Sequence, residues 1–207
     1  MKIIFATYKI DDATEITFQI ANKLTSVNDI LLADIKATRS ELQKVLLAYP
    51  NAPLFVLSHG TDNAIIDNDG VLALDSQNAN DIALLIHRPV FAYCCWTANG
   101  LGDVMKTVTQ KVYWGYTGQV IVPADSPEIL PLLEDAIVFV FNRFDTTLTP
   151  ELATQTLTEL KQFCDNLLQN STEISTNIVM RRFWTMLRVF LSNEKITHVE
   201  AIDDLPW

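Results

Sequence analysis

The sequence predicts an α/β sandwich with a mainly parallel central sheet, followed by a helical C-terminal region. In the first half, short apolar runs typical of buried strands alternate with segments whose apolar residues recur at helical spacing. In the second half, these strand-like runs give way to long helical patterns. Hydrophobic residues make up 49% of the 207-residue chain, which is enough to fill the core of a compact domain.

The alternation in the first half defines the individual elements. Strands are predicted over residues 3–8, 30–35, 53–57, 89–94, 111–116 and 119–122, and helices over residues 12–24, 40–47, 76–86 and 99–109. We expect Asp11 or Asp12 to cap the first helix and Ser40 to cap the second. The turn signal Asn68-Asp69-Gly70 predicts a small hairpin over residues 64–74.

The second half predicts helices over residues 127–144, 150–168 and 175–191, with a short strand or docking arm over 196–207. The apolar stretch 129–144 is interrupted by charged residues and is too short to span a bilayer, so a buried helix is expected there. The sequence thus predicts an α/β domain over residues 1–144 and a helical extension over 145–207 that packs on the same domain.

Charge and cysteine content exclude several classes of partner and site. A formal net charge of −10 argues against nucleic acid or an anionic membrane as partner. The three cysteines include an adjacent pair, which is not a disulfide framework, and this favours a reducing, cytoplasmic location. Neither a zinc-type spacing nor a glycine-rich phosphate loop occurs, so we predict no metal and no cofactor.

Two reactive residues stand where predicted strands end. His59 follows one apolar run, directly before Gly60, and Cys95 follows another. Because ligands bind beyond the carboxyl ends of parallel strands, neighbouring strands would bring the imidazole and the thiol into one cleft. A histidine there can take the thiol proton and activate the sulfur as a nucleophile. From spacing alone, a surface histidine and a small buried cysteine remain the alternatives.

The residues around both positions resemble those of known peptidases. Leu57-Ser58-His59-Gly60 resembles the histidine motif of caspases. Segment 90–98, Val-Phe-Ala-Tyr-Cys-Cys-Trp-Thr-Ala, resembles the cysteine motif of the bacterial CHAT proteases. The order of histidine before cysteine is similar to that of the caspase, gingipain and separase group. The resemblance covers residues 2–122 and implies a caspase-like three-layer sandwich.

The resemblance also implies a cysteine endopeptidase that hydrolyses a protein or peptide substrate and leaves room for a regulatory partner protein. Cys95 would be the nucleophile, His59 the general base, and the backbone N–H groups of Gly60 and Cys95 the oxyanion hole. A third triad member is often absent from this group, so none is assigned. Side chains alternate along a strand, so only one of Cys94 and Cys95 faces the cleft, and the family register favours Cys95.

The residues that would contact the substrate are less clearly marked. Our candidates for the substrate groove are Tyr93, Trp96, Trp114, Tyr116 and Asp125. Ordinary aromatic packing is the alternative for Trp96, Trp114 and Tyr116. Metacaspases carry an aspartate two residues before the nucleophile, where this chain has Tyr93, so a preference for basic substrate residues lacks that support.

Two other interpretations remain. One is a catalytically inactive caspase-like module that binds a peptide or regulates a partner. The other is an unrelated flavodoxin-like or receiver-like domain. It lacks support, because the end of the first predicted strand carries neither a phosphate loop nor an acidic phosphoacceptor cluster.

Overall fold

The computed structural model describes residues 1–8, 10–108, 111–120, 122, 124, 130–169 and 187–190. Within them, a central sheet has the strand order β2-β1-β3-β6-β7-β8, and a separate hairpin pairs β4 with β5. The strands are β1 (Ile3–Ala6), β2 (Ile30–Ala33), β3 (Leu54–Leu57), β4 (Ala64–Ile66), β5 (Leu72–Asp75), β6 (Val90–Tyr93), β7 (Tyr113–Tyr116) and β8 (Leu187–Phe190). The first five strands of the sheet are parallel, and β8 runs antiparallel to β7.

Helices cover both faces of this sheet, which gives three layers. They are α1 (Asp12–Leu24), α2 (Arg39–Ala48), α3 (Ala79–Leu85), α4 (Leu101–Val108), α5 (Leu130–Arg143) and α6 (Pro150–Gln169). Apolar residues of α1, α5 and α6 form one core with alternate strand residues such as Phe55 and Phe91. Apolar residues of α2, α3 and α4 form the second core with the intervening residues, such as Val56 and Ala92. The α/β class and the mainly parallel sheet are confirmed.

The order of the strands creates a crevice between β1 and β3. From β1 the chain crosses one face through α1 to reach β2, and it returns across the other face through α2 to β3. The connections therefore diverge beyond the carboxyl ends of β1 and β3. In open α/β sheets this divergence is where ligands bind.

Local capping explains where the first two helices begin. The Asp11 carboxylate accepts the N–H of Thr14, and the Thr14 hydroxyl accepts the N–H of Asp11, which forms a capping box at the start of α1. At α2 the cap is Thr38, whose hydroxyl accepts the N–H of Glu41. The prediction of Ser40 as this cap was wrong, because the helix begins one residue before it.

The later part of the chain departs from prediction in two places. Gln119 and Val120 do not belong to a strand. Leu187–Phe190 forms β8, so the helix predicted over residues 175–191 was wrong for these four residues. Their pairing with β7 explains the difference, since hydrogen bonding to a sheet edge overrides a local helical pattern. The rest of that predicted helix and the arm over 196–207 lie outside the described residues.

The helices α5 and α6 belong to the same apolar core. Leu133, Ile137 and Val140 of α5 are fully buried in the core formed with α1 and the sheet. Leu157 and Leu160 of α6 are buried in that same core. In the described part of the chain, no helix combines the length and the apolar character needed to cross a membrane.

Candidate active site

Three adjacent strands end level with one another and deliver three polar side chains to one edge of the sheet. The register pairs Ala6 of β1 with Leu57 of β3, and Leu57 with Tyr93 of β6. His59 lies just beyond β3, Cys95 just beyond β6, and Asp11 at the start of the helix that follows β1. The sheet therefore brings a carboxylate, an imidazole and a thiol to its carboxyl edge.

His59 and Cys95 line a single cavity at this edge, with a volume of about 240 Å³. The cavity lies where the helices diverge, over the ends of β1, β3 and β6. Its lining residues are Asp11, Ala13, Thr14, Thr17, Ser58, His59, Tyr93, Cys95, Gln119, Val120 and Val122. The two predicted reactive residues are thus brought together, and Tyr93 lines the cavity with them.

The imidazole of His59 is held by a carboxylate. Its Nε2 lies 3.1 Å from Oδ2 of Asp11, and both side chains are partly exposed. Burial raises the pKa of Asp11, but hydrogen bonds from Thr14 and the nearby His59 outweigh it, so the pKa lies below its ordinary value. Asp11 is therefore ionised at neutral pH, where it can accept an N–H of the imidazole.

From the sequence, Asp11 was predicted only as one of two possible caps of the first helix, with Asp12 as the alternative. The local signal was present, because Asp11 follows the first predicted strand as His59 and Cys95 follow theirs. What the sequence lacked was the order of the strands. Only the pairing of β1 with β3 shows that the segments after these two strands meet.

The sulfur of Cys95 faces the cavity and accepts a backbone hydrogen bond. The N–H of Val120 lies 3.3 Å from Sγ. Burial raises the pKa of Cys95 above that of an ordinary thiol, the N–H groups of Val120 and of Cys95 itself lower it in part, and the charge of Asp11 raises it. The net effect is a raised pKa, so the resting thiol is protonated at neutral pH.

Cys94 occupies the opposite face of the sheet. It is fully buried in the core formed with α2, α3 and α4. Burial and the neighbouring Cys95 raise its pKa far above the ordinary value, so it stays a neutral thiol. Just beyond the last residue of β6, the chain thus directs Cys94 into the core and leaves Cys95 as the thiol of the cavity.

The turn after Cys95 is tight, and it explains the glycine after His59. Trp96 has a left-handed backbone with a φ of 55°, which is unfavourable for a bulky residue, and its N–H donates to the carbonyl of Gly118. A Cβ on Gly60 would lie 2.8 Å from Cys94 Cβ, Cys95 O and Thr97 Cγ2. Only glycine lets the histidine segment approach this turn so closely.

Of the two backbone donors predicted for an oxyanion hole, the N–H of Cys95 interacts with its own sulfur, and that of Gly60 has no such role. Within the described residues, neither the N–H of Gly60 nor that of Cys95 donates to a backbone carbonyl. At Gly60 the bridge to β4 is made by its neighbours instead, because Ile66 donates to His59 and Thr61 donates to Ala64. A backbone N–H that donates to no carbonyl, such as that of Gly60, is the kind of donor that acyl transfer requires.

The other groove candidates fall in different surroundings. Trp114 and Tyr116 are fully buried in the core beneath α5, so neither lines the cavity, and ordinary aromatic packing describes both positions. They belong to β7, whose alternate side chains point into this core. Trp96, the residue after Cys95, is 42% exposed but does not line the cavity. Asp125 lies outside the described residues.

In the part of the chain that the structure describes, no three histidine, cysteine, aspartate or glutamate side chains are grouped so as to hold a metal ion. Comparison with protein-family models, with curated proteins and with solved structures finds no match to this chain.

Proposed function

We propose that the protein is a cysteine endopeptidase of the caspase-like type, acting on a protein or peptide substrate. One observation carries the proposal: the Cys95 thiol and the His59 imidazole line the same cavity, at the carboxyl ends of the neighbouring parallel strands β3 and β6. This is the placement that the resemblance to caspases and CHAT proteases implies. The two free thiols, Cys94 in the core and the partly exposed Cys95, also support a reducing cytoplasm as its location.

His59 acts as a general base during the attack. The pKa of Cys95 is raised, so the thiol stays protonated until a substrate carbonyl is in place. As the sulfur bonds to the carbonyl carbon, its proton passes to the imidazole. This route differs from one that starts from a preformed thiolate, and it makes His59 necessary for the first chemical step.

The steps after the attack require water as the only other reactant. The N–H groups of Gly60 and Cys95 stabilise the oxyanion formed on the carbonyl oxygen. The tetrahedral intermediate collapses to a thioester as the C–N bond breaks, and the imidazolium gives its proton to the leaving amine. Water, deprotonated by His59, then attacks the thioester, and the Cys95 thiol is restored when the carboxylic acid leaves.

A catalytically inactive binding module is the second candidate, and the raised pKa of Cys95 is the observation that favours it. A thiol kept protonated by burial is a weak nucleophile unless a base removes its proton. In that case the cavity would hold a peptide or a regulatory partner without cutting it.

A peptide-library digest with matched cysteine variants tests the proposal. We expect wild type to cleave a subset of peptides, with new termini detected by mass spectrometry. Cys95→Ala should lower the rate by on the order of 10³-fold or more, because the nucleophile is lost. Cys94→Ala removes the neighbouring thiol from the core and should keep the cleavage pattern.

Two results would contradict this assignment. Equal cleavage by wild type and Cys95→Ala would remove Cys95 as the nucleophile. Peptide binding without cleavage by wild type would support the inactive module. A cysteine-directed peptidyl electrophile separates the cases further, since the peptidase should be labelled at Cys95 at neutral pH and should lose that labelling in His59→Ala.

A further inference from the structure

We propose that Asp11 is a positioning residue that holds His59 in the tautomer and orientation needed to accept the Cys95 proton. The inference rests on the proposed peptidase function and adds a third member to its Cys-His pair. It arises from a side chain that belongs to neither β3 nor β6. Asp11 reaches the site because β1 pairs with β3, so that the start of α1 lies beside His59.

The two carboxylate oxygens of Asp11 have different partners. Oδ1 accepts the N–H of Thr14 at 2.9 Å and the Thr14 hydroxyl at 3.0 Å. Oδ2 lies 3.1 Å from Nε2 of His59. The first turn of α1 therefore fixes the carboxylate through one oxygen and leaves the other aimed at the imidazole. The helix cap and the histidine contact are made by the same group.

This contact decides which ring nitrogen carries the proton. An ionised carboxylate only accepts hydrogen bonds, so a hydrogen bond across this 3.1 Å contact places the proton on Nε2 of His59. In the neutral imidazole, Nδ1 is then the unprotonated nitrogen, free to take the thiol proton. When Nδ1 is protonated during the attack, the same carboxylate stabilises the imidazolium.

Stability does not account for this contact. The side chains of Asp11 and His59 are 46% and 36% exposed, and exposed pairs of this kind contribute little to folding. Helix capping does not account for it either, because capping uses Oδ1. What remains is orientation of the base beside the nucleophile.

The test pairs Asp11→Ser with Thr38→Ala. Serine keeps a capping hydroxyl for α1 but cannot place a carboxylate at Nε2. Thr38→Ala removes the cap of α2, on the other face of the sheet and away from the cavity. We expect Asp11→Ser to lower kcat by on the order of 10²-fold with KM changed less than about threefold, and Thr38→Ala to keep both values near wild type.

A second readout does not depend on turnover. In ¹⁵N-histidine-labelled protein, the ring-nitrogen signals of His59 can be distinguished from those of the other two histidines by comparison with a His59→Gln spectrum. At a pH where the ring is neutral, we expect wild type to show His59 protonated at Nε2, and Asp11→Ser to lose that preference. Thr38→Ala should keep it.

The outcomes separate the two proposals. Suppose that wild type cleaves. If the kcat of Asp11→Ser equals that of wild type, or if Thr38→Ala lowers kcat as much as Asp11→Ser does, Asp11 has no positioning role. If wild type cleaves nothing, the peptidase assignment fails, and the tautomer comparison alone decides whether Asp11 controls His59. An unchanged tautomer in Asp11→Ser overturns the inference in every case.

Discussion

Several residues of the candidate site serve the fold and the site at once. Asp11 caps α1 with one carboxylate oxygen and faces His59 with the other. Gly60 lies where any side chain would collide with the turn that carries Cys95. Substitutions at these positions therefore change the fold and the chemistry together, and their tests need variants that separate the two.

The thiol of Cys95 gives a prediction at this scale. Since its pKa is raised, its alkylation by iodoacetamide should become rapid only at a higher pH than for a free thiol. The N–H of Val120 opposes this shift by donating to Sγ. Val120→Pro lacks that donor, so alkylation at pH 8 should be slower than in Val120→Ala by about threefold or more.

Peptide mapping assigns the alkylation to Cys95 rather than to the other thiols. Val120→Ala keeps the backbone donor and should follow wild type, which controls for the loss of the side chain. Equal pH profiles for the proline and alanine variants would show that the Val120 N–H does not influence the sulfur.

At the scale of the elements, one buried arginine joins two helices to the loop that precedes β3. Arg88 is 1% exposed, and its guanidinium donates to the carbonyls of Leu84 in α3, Leu46 in α2 and Ala52. Burial lowers its pKa to about 10, so it remains charged at neutral pH. The positive charge of Arg88 is favourable here, because carbonyls at the C-terminal ends of helices carry partial negative charge.

Arg88→Met should therefore lower the free energy of unfolding by about 3 kcal/mol or more, because it leaves buried carbonyls without donors. Arg143→Met is the matched control. The Arg143 side chain is 39% exposed and pairs with Glu159 at the surface, so the expected loss is under about 1 kcal/mol. Urea denaturation followed by circular dichroism measures both, and similar losses would contradict the role given to Arg88.

At the scale of the whole molecule, residues beyond 144 contribute to the core that supports the site. Leu157 and Leu160 of α6 pack with α5, α1 and one face of the sheet. That core also contains Phe55 and Phe91, from the strands that carry His59 and Cys95. Helix α6 therefore stabilises the strands β3 and β6, whose ends form the cavity.

Two leucines of α6 test this arrangement with the same substitution. Leu160 is fully buried and Leu152 is 45% exposed. Leu160→Ala should lower the free energy of unfolding by about 2–5 kcal/mol, through lost burial and a residual cavity. Leu152→Ala should change it by less than about 0.5 kcal/mol. Equal values in denaturant titrations would show that α6 does not pack into this core.

Local patterns predicted most of the strands and helices of the first half. The first helix has the bounds predicted for it, and the hairpin forms around the turn signal Asn68-Asp69-Gly70. These elements depend on neighbouring residues, through apolar periodicity and turn chemistry. Leu187–Phe190 was mispredicted because its conformation depends on an edge strand distant in the chain.

The sequence by itself determined the class of the fold and pointed to His59 and Cys95 as candidate reactive residues, since strand-end positions and short sequence motifs are local properties. Only the tertiary structure decided which strands are neighbours. That pairing brought Asp11 to His59, and the helices packed on each face made a core around Cys94 on one side and around Trp114 and Tyr116 on the other. The physical reason is that strand order and side-chain burial depend on contacts between residues distant in the chain, which no local pattern encodes.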